Sequence, residues 1–128
     1  MPDLTRSGFL PGQHAIDAFG AGGFRFADMS HRGSILALPS GVSAWSAINP
    51  QDINAASLAP LFAEAEGAVE LLIIGTGANL VPLPLVLREK LRAHKIRFDP
   101  MATAVAISTY NILLGERRRV AAAFLAVD

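Results

Sequence analysis

The feature that most constrains this 128-residue chain is the stretch at residues 71–87, LLIIGTGANLVPLPLVL, which carries no charge. A run this apolar becomes a membrane span, a buried helix, or a strand joined to a second element. A spanning helix needs roughly 20 apolar residues without a break in the middle. Here Gly75, Gly77, Asn79, Pro82 and Pro84 interrupt the run. The reading is therefore a strand, a tight loop and a helix start. The mean hydropathy of +0.39 is high for a chain that does not span a bilayer. It implies an unusually apolar interior or an apolar surface used for association. The N-terminal Met-Pro-Asp opens neither a basic-then-apolar signal segment nor an arginine-rich transit peptide.

Length and composition narrow the class. A chain of 128 residues is read as a single domain, because two halves would be too small to bury good cores. Apolar residues make up 52% and charged ones 17%, which excludes a disordered chain. Eleven basic residues balance eleven acidic ones, so no overall electrostatic footprint for nucleic acid follows. The absence of cysteine removes disulfides, thiol nucleophiles and cysteine metal sites.

Residues 1–11 read as a loose lead-in. Residues 14–19 and 24–26 read as two strands of a hairpin joined by the four-residue loop Gly20-Ala21-Gly22-Gly23. Residues 28–32 read as a polar turn, 33–38 as a strand, and 42–45 as extended chain. Ser57 is placed as the N-cap of a short helix over 58–66 that Gly67 closes. Residues 69–74 and 120–127 are apolar on both faces, which points to central strands. A helix is predicted from Pro82 or Pro84 to about His94, with Leu83, Leu87 and Leu91 as its buried stripe and Val86 beside them. A strand at 96–99 precedes Pro100. A second helix at 102–114 turns Ala106, Ile107, Tyr110, Leu113 and Leu114 inward and stops at Gly115. Strand–helix–strand alternation in the second half implies parallel neighbours, and the hairpin in the first half implies antiparallel ones. The fold class is α/β: a three-layer domain with mixed sheet structure, a glycine-rich N-terminal hairpin and two main helices.

Several residues invite a chemical reading. Gly75-Thr76-Gly77, between a strand and a helix and followed by Ala78 and Asn79, has the form of a loop whose backbone N–H groups cradle an anion. It lacks the third glycine of a dinucleotide fingerprint and the lysine of a P-loop. A tight strand exit is the plainer reading. Arg88, Arg92 and Lys95, at i, i+4 and i+7, form a basic stripe suited to an acidic partner or to plain solvation. No aromatic is interleaved, so stacking on single-stranded nucleic acid is unsupported. Arg117-Arg118-Arg119 reads as a solvated turn. His14, His31 and His94 have no metal-ligand spacing, and no nucleophile elbow occurs. No catalytic residue, metal or cofactor is assigned. Asn111, beside the apolar stripe, either bonds a neighbouring backbone or lines a cleft.

Several segments together resemble a known family. They are AFGAGGFRF at 18–26, GSILALPSGVSAW at 33–45, LLIIGTG at 71–77, the proline-then-Leu-Arg pattern at 82–88, and STYNILLGERRRVAAAFLAV at 108–127. The resemblance is to the small α/β domain-of-unknown-function family that includes the third mitochondrial complex I assembly factor and a human adipogenesis-associated protein. That family often has an acidic residue where Ala21 stands, an aspartate where Ala102 stands and an arginine where Ser108 stands. These departures argue against a shared catalytic set. They leave Arg25, the Gly75–Gly77 loop, Arg88, Tyr110 and Asn111 as the matching polar or special positions. The resemblance implies a three-layer α/β fold, no established enzymatic activity, and action through protein association during assembly of a membrane respiratory complex. A bacterial cytoplasm, or a mitochondrial matrix for a eukaryotic chain, fits it, and a homo-oligomer is compatible with it. Two readings follow. One is a non-enzymatic protein-binding module. The other is a small-molecule or anion-binding protein, an enzyme included, with a site near Gly75, Thr76, Gly77, Asn79, Arg25 and Asn111.

Overall fold

The structure is a computed structural model and describes residues 9–128. Strands β1 (Phe9–Pro11), β2 (Ala18–Gly20), β3 (Gly23–Phe26), β4 (Met29–Arg32), β5 (Ile35–Leu38) and β6 (Gly41–Ala44) fill the first half. After a 3-10 turn (Pro50–Asp52) come α1 (Ala59–Phe62), β7 (Leu71–Gly75), α2 (Leu85–Ala93), β8 (Arg97–Met101), α3 (Thr103–Gly115) and β9 (Val120–Phe124). Six strands form one sheet in the order β1-β6-β5-β9-β7-β8, and β2-β3-β4 form a second. In the large sheet β7 runs parallel to both β8 and β9, while β5 meets β9 antiparallel. The mixed α/β architecture is the one the sequence predicts.

Alternation along the central strands explains the layers. Leu72 and Ile74 of β7, Ala121 and Ala123 of β9, and Leu36 and Leu38 of β5 turn to one face, where Leu83, Leu87 and Leu91 cover them. Ile73, Ala122, Phe124, Ile35 and Ala37 turn to the other, beneath Ala106, Ile107 and Tyr110 of α3 and Phe24 and Phe26 of β3. So α2 lies on one side of the large sheet, and α3 with the small sheet lies on the other. The alanines of β9 leave room for large neighbours: Tyr110 meets Phe124 edge-on with ring centroids 5.5 Å apart.

Several boundaries differ from those the sequence predicts. Residues 9–11, expected in the loose lead-in, pair with β6; the rest of that lead-in, residues 1–8, lies outside the described residues. The hairpin strand begins at Ala18 rather than residue 14, and its turn is only Ala21-Gly22. The expected polar turn at 28–32 contains β4, whose His31 faces inward and is buried. The short helix is only Ala59–Phe62, capped by Leu58, and Ser57 instead trades hydrogen bonds with Asn54. Val86, expected beside the buried stripe, is 76% exposed. The strand expected at 96–99 runs over Arg97–Met101 and takes in Pro100, with α3 beginning two residues after it ends. Pro100 stands on the sheet's edge, where a missing N–H costs nothing. Gly115 is the last residue of α3, but the left-handed cap lies two residues further on. Arg117 takes the left-handed position at φ +61°, with Arg117 N–H donating to Leu114 and Arg118 N–H to Leu113. That is a Schellman ending without its usual glycine. Helix α2 closes the same way: Lys95 sits at φ +59° and Ile96 N–H donates to Leu91.

Candidate functional site

The uncharged run at 71–87 divides at Thr76. Its first part is β7 and is buried. Its second part passes over the surface: within residues 78–86 only Leu83 is buried, and Leu80, Leu85 and Val86 are 59%, 55% and 76% exposed. Pro82 and Pro84, which cannot donate to a ladder, hold this segment outside regular structure until α2 begins. The product is a charge-free apolar shoulder beside the entry to α2.

The loop beneath the shoulder is tied down internally. Thr76 N–H donates to Met101 O at 2.9 Å, and Gly77 N–H to Thr103 Oγ1 at 3.0 Å. The Thr76 hydroxyl donates to Asn79 O at 2.6 Å and accepts from Val81 N–H at 3.0 Å. The Thr103 hydroxyl donates to Leu125 O at 2.9 Å. A Cβ on Gly75 would stand 2.8 Å from Thr103 Oγ1 and 3.0 Å from its Cα, so Gly75 permits α3 to approach β7. Gly77 has φ +100°. Two amides of the loop are thus committed to the protein itself. Thr103, which completes this network, stands apart from the loop by 26 positions and gives no signal of its role in the sequence.

The remaining singled-out residues fall in three places. Arg25 is exposed on the outer face of the small sheet. Tyr110 and Asn111 stand on α3, on that same side of the large sheet. The Tyr110 hydroxyl donates to His14 O at 2.7 Å, and burial pushes its pKa up. Asn111 accepts from Ile16 N–H at 2.9 Å and donates to Ile16 O at 2.8 Å, acting as a strand would. Arg88 belongs to α2 across the sheet, and its Nε donates to Leu83 O at 3.1 Å. The structure therefore does not bring Arg25, Asn111, Arg88 and the loop to one point.

It does bring Arg92 and Lys95 together, at the end of α2. There, with Ile96, Arg97 and Phe98, they line a groove of about 440 Å³. The Arg92 guanidinium lies 5.4 Å from the Phe98 ring centre. Lys95 lies past the end of α2, so the three-residue helical stripe is two helical residues and a turn residue. Arg97, which the sequence adds to the local charge of the basic stripe, does lie beside the pair, whereas sequence reasoning missed Leu80, Leu85 and Val86 as exposed residues and Phe98 as a neighbour of the basic pair. Among the described residues no His, Asp or Glu cluster is arranged to hold a metal, and no helix is long and apolar enough to cross a membrane.

A family profile described as "Protein of unknown function (DUF498/DUF598)" matches residues 16–125. The chain belongs to this family. An uncharacterized protein of Rhodobacter capsulatus is 40% identical, over 93% of this chain and 86% of that protein. NADH dehydrogenase [ubiquinone] 1 alpha subcomplex assembly factor 3 of Drosophila melanogaster is 37% identical over 80% of this chain. The chain spans only 54% of that fly protein. Among solved structures, the Rpa2829 protein of Rhodopseudomonas palustris is 49% identical, with a TM-score of 0.81 over 96% of this chain and 92% of its own. A Mth938-like domain from Bordetella pertussis is 28% identical, with a TM-score of 0.76 over 88% of this chain and 85% of its own. Solved structures 49% and 28% identical to this chain thus share its fold.

Proposed function

We propose that this chain is a non-enzymatic protein-association module that acts in assembly of a respiratory NADH dehydrogenase complex, from a bacterial cytoplasm or, in a eukaryote, the mitochondrial matrix. The observation that carries this reading is the shoulder at residues 78–86, with Leu80, Leu85 and Val86 more than half exposed on a charge-free surface. Clustered apolar residues left in water mark contact surfaces. Arg88, bonded to Leu83 O, borders it and would guide encounter with an acidic partner. The names of the fly, fish, frog and mammalian relatives, all assembly factor 3, supply the complex. The anion-site alternative lacks comparable support, because Thr76 and Gly77 spend their N–H groups within the fold.

The test is deletion of the gene in its own organism, with the NADH dehydrogenase complex followed on native gels and by NADH–quinone activity of membranes. Wild type should restore the complex. The Leu85→Ser/Val86→Ser double variant should fail to restore it while keeping its melting temperature, since exposed substitutions change stability by only about 0.5 kcal/mol each. Full assembly without the gene, or equal rescue by the double variant, refutes the reading.

A further inference from the structure

We infer that the groove between the end of α2 and the start of β8 is a docking site for an extended acidic peptide segment of a protein partner; this rests on the association reading and names the partner's chemistry. Four observations converge there. First, charge is segregated. Residues 88–99 hold Arg88, Lys90, Arg92, Lys95 and Arg97 against Glu89 and Asp99, five minus two, a net of three positive charges in a chain whose total is zero. Second, none of those cations is in an ion pair among the described residues. The ion pairs found among the described residues converge on Glu70, from Arg118 and Arg119. Third, the groove is amphipathic, with buried Ile96 and half-buried Phe98 between the cations Arg92, Lys95 and Arg97.

Fourth, β8 is the outermost strand of the large sheet and its outer rim carries an unusual hydrogen-bonding pattern. Arg97 N–H donates to Glu70 O, and Met101 O accepts from Thr76 N–H, so Arg97, Asp99 and Met101 turn their backbone toward β7. Phe98 and Pro100 turn theirs outward. Phe98 offers a donor and an acceptor, whereas Pro100 has no N–H to give. A partner strand can therefore pair at Phe98 and not beyond Pro100. The register would be fixed beside Arg97, with Arg92 and Lys95 on the α2 side. Strand addition of this kind takes affinity from backbone bonds and specificity from side-chain sites. Here those sites select carboxylates, and the partner's apolar residues meet Ile96 and Phe98. Asp99 sits on the same face as Arg97 and disfavours acidic residues at the Pro100 end, which sets the direction of the charge gradient.

The probe is the peptide Ac-DVDVDVD-NH2, titrated into the isotope-labelled full chain and followed by amide shifts. The cationic peptide Ac-KVKVKVK-NH2 and an oligothymidylate of equal charge serve as comparators. The acidic peptide should shift the amides of residues 95–98. Its affinity should fall roughly tenfold or more in the Arg92→Glu/Arg97→Glu variant and by a similar factor on raising salt to about 0.5 M. Phe98→Pro, which removes the outward donor, should weaken binding while leaving its salt dependence. Because that variant strains β8, Lys95→Glu in the adjoining turn provides a second reading. Absence of shifts at millimolar peptide overturns the inference. So do shifts centred elsewhere, equal binding of the cationic peptide, or preference for the oligothymidylate. If the peptide fails while the Leu85→Ser/Val86→Ser variant still fails to restore the complex, this inference falls and the association reading stands.

Discussion

Replacing Arg117 with glycine should make the protein more stable. Arg117 holds φ +61°, and the two hydrogen bonds that end α3 depend on that conformation. A left-handed backbone costs an L-residue about 1–2 kcal/mol, and glycine avoids that cost. Glycine loses more freedom on folding, which offsets about 0.5–1 kcal/mol. The difference is a gain of about 0.5–1 kcal/mol. The Arg117 side chain is exposed and in no ion pair among the described residues, so its removal subtracts little. For a chain of this size the gain corresponds to a melting temperature about 2–4 °C higher. Calorimetry of wild type, Arg117→Gly and Arg117→Ala decides the matter, because alanine removes the side chain and keeps the strain. If glycine melts no higher than alanine, the strain account is wrong.

Gly75→Ala places a Cβ against Thr103 and Phe124 and should lower stability by about 1–3 kcal/mol in denaturant titrations. Asn111→Leu leaves the N–H and C=O of Ile16 without their partner, and a loss of about 1–3 kcal/mol is expected, with faster exchange of the Ile16 amide. Glu70 is held below the ordinary glutamate range, chiefly by its hydrogen bond from Arg118. A depressed folded-state pKa gives stability that is present above the unfolded value and lost as pH falls through the folded one. The denaturation midpoints of wild type and Glu70→Gln should therefore converge as pH drops from about 7 to about 3; a constant gap would refute the assignment.

The sequence made the centre of this fold readable and hid its edges. Residues 71–74 and 120–124 are apolar on both faces, a pattern that only cover on both sides explains, and both proved interior. Strand β4 went unread because Met-Ser-His-Arg looks polar; its pairing with β3 and the burial of His31 are tertiary outcomes. Gly115 marks the end of α3 as expected, but the left-handed cap falls on Arg117, since a glycine in a last turn and a glycine beyond it look alike in sequence. The shoulder illustrates the same limit for the site. An uncharged run argues for burial, and nothing local says that residues 78–86 leave the core after Gly77. Arg92 and Lys95 were legible as a pair through their spacing. Arg97 was legible as added local charge, and Phe98 joined them only because β8 starts directly after the turn at Lys95.

The side-chain contacts on residues 13–16 bear on the order in which the chain folds. Segments β7 through β9 close through crossovers that are short in sequence, whereas residues 13–16 are fastened by Gln13 to Val120, Tyr110 to His14 and Asn111 to Ile16, across 107, 96 and 95 positions. Long loops close at a higher entropic cost, and contacts that need them form late. The C-terminal half is then the template on which the N-terminal strands settle, with the α3 amide and phenol acting as a latch. Pulse-labelling exchange should protect Leu72 and Ala123, whose amides bond within the C-terminal strands, before Ile16. A nascent chain leaving the ribosome would accordingly hold its first strands in waiting until α3 has emerged.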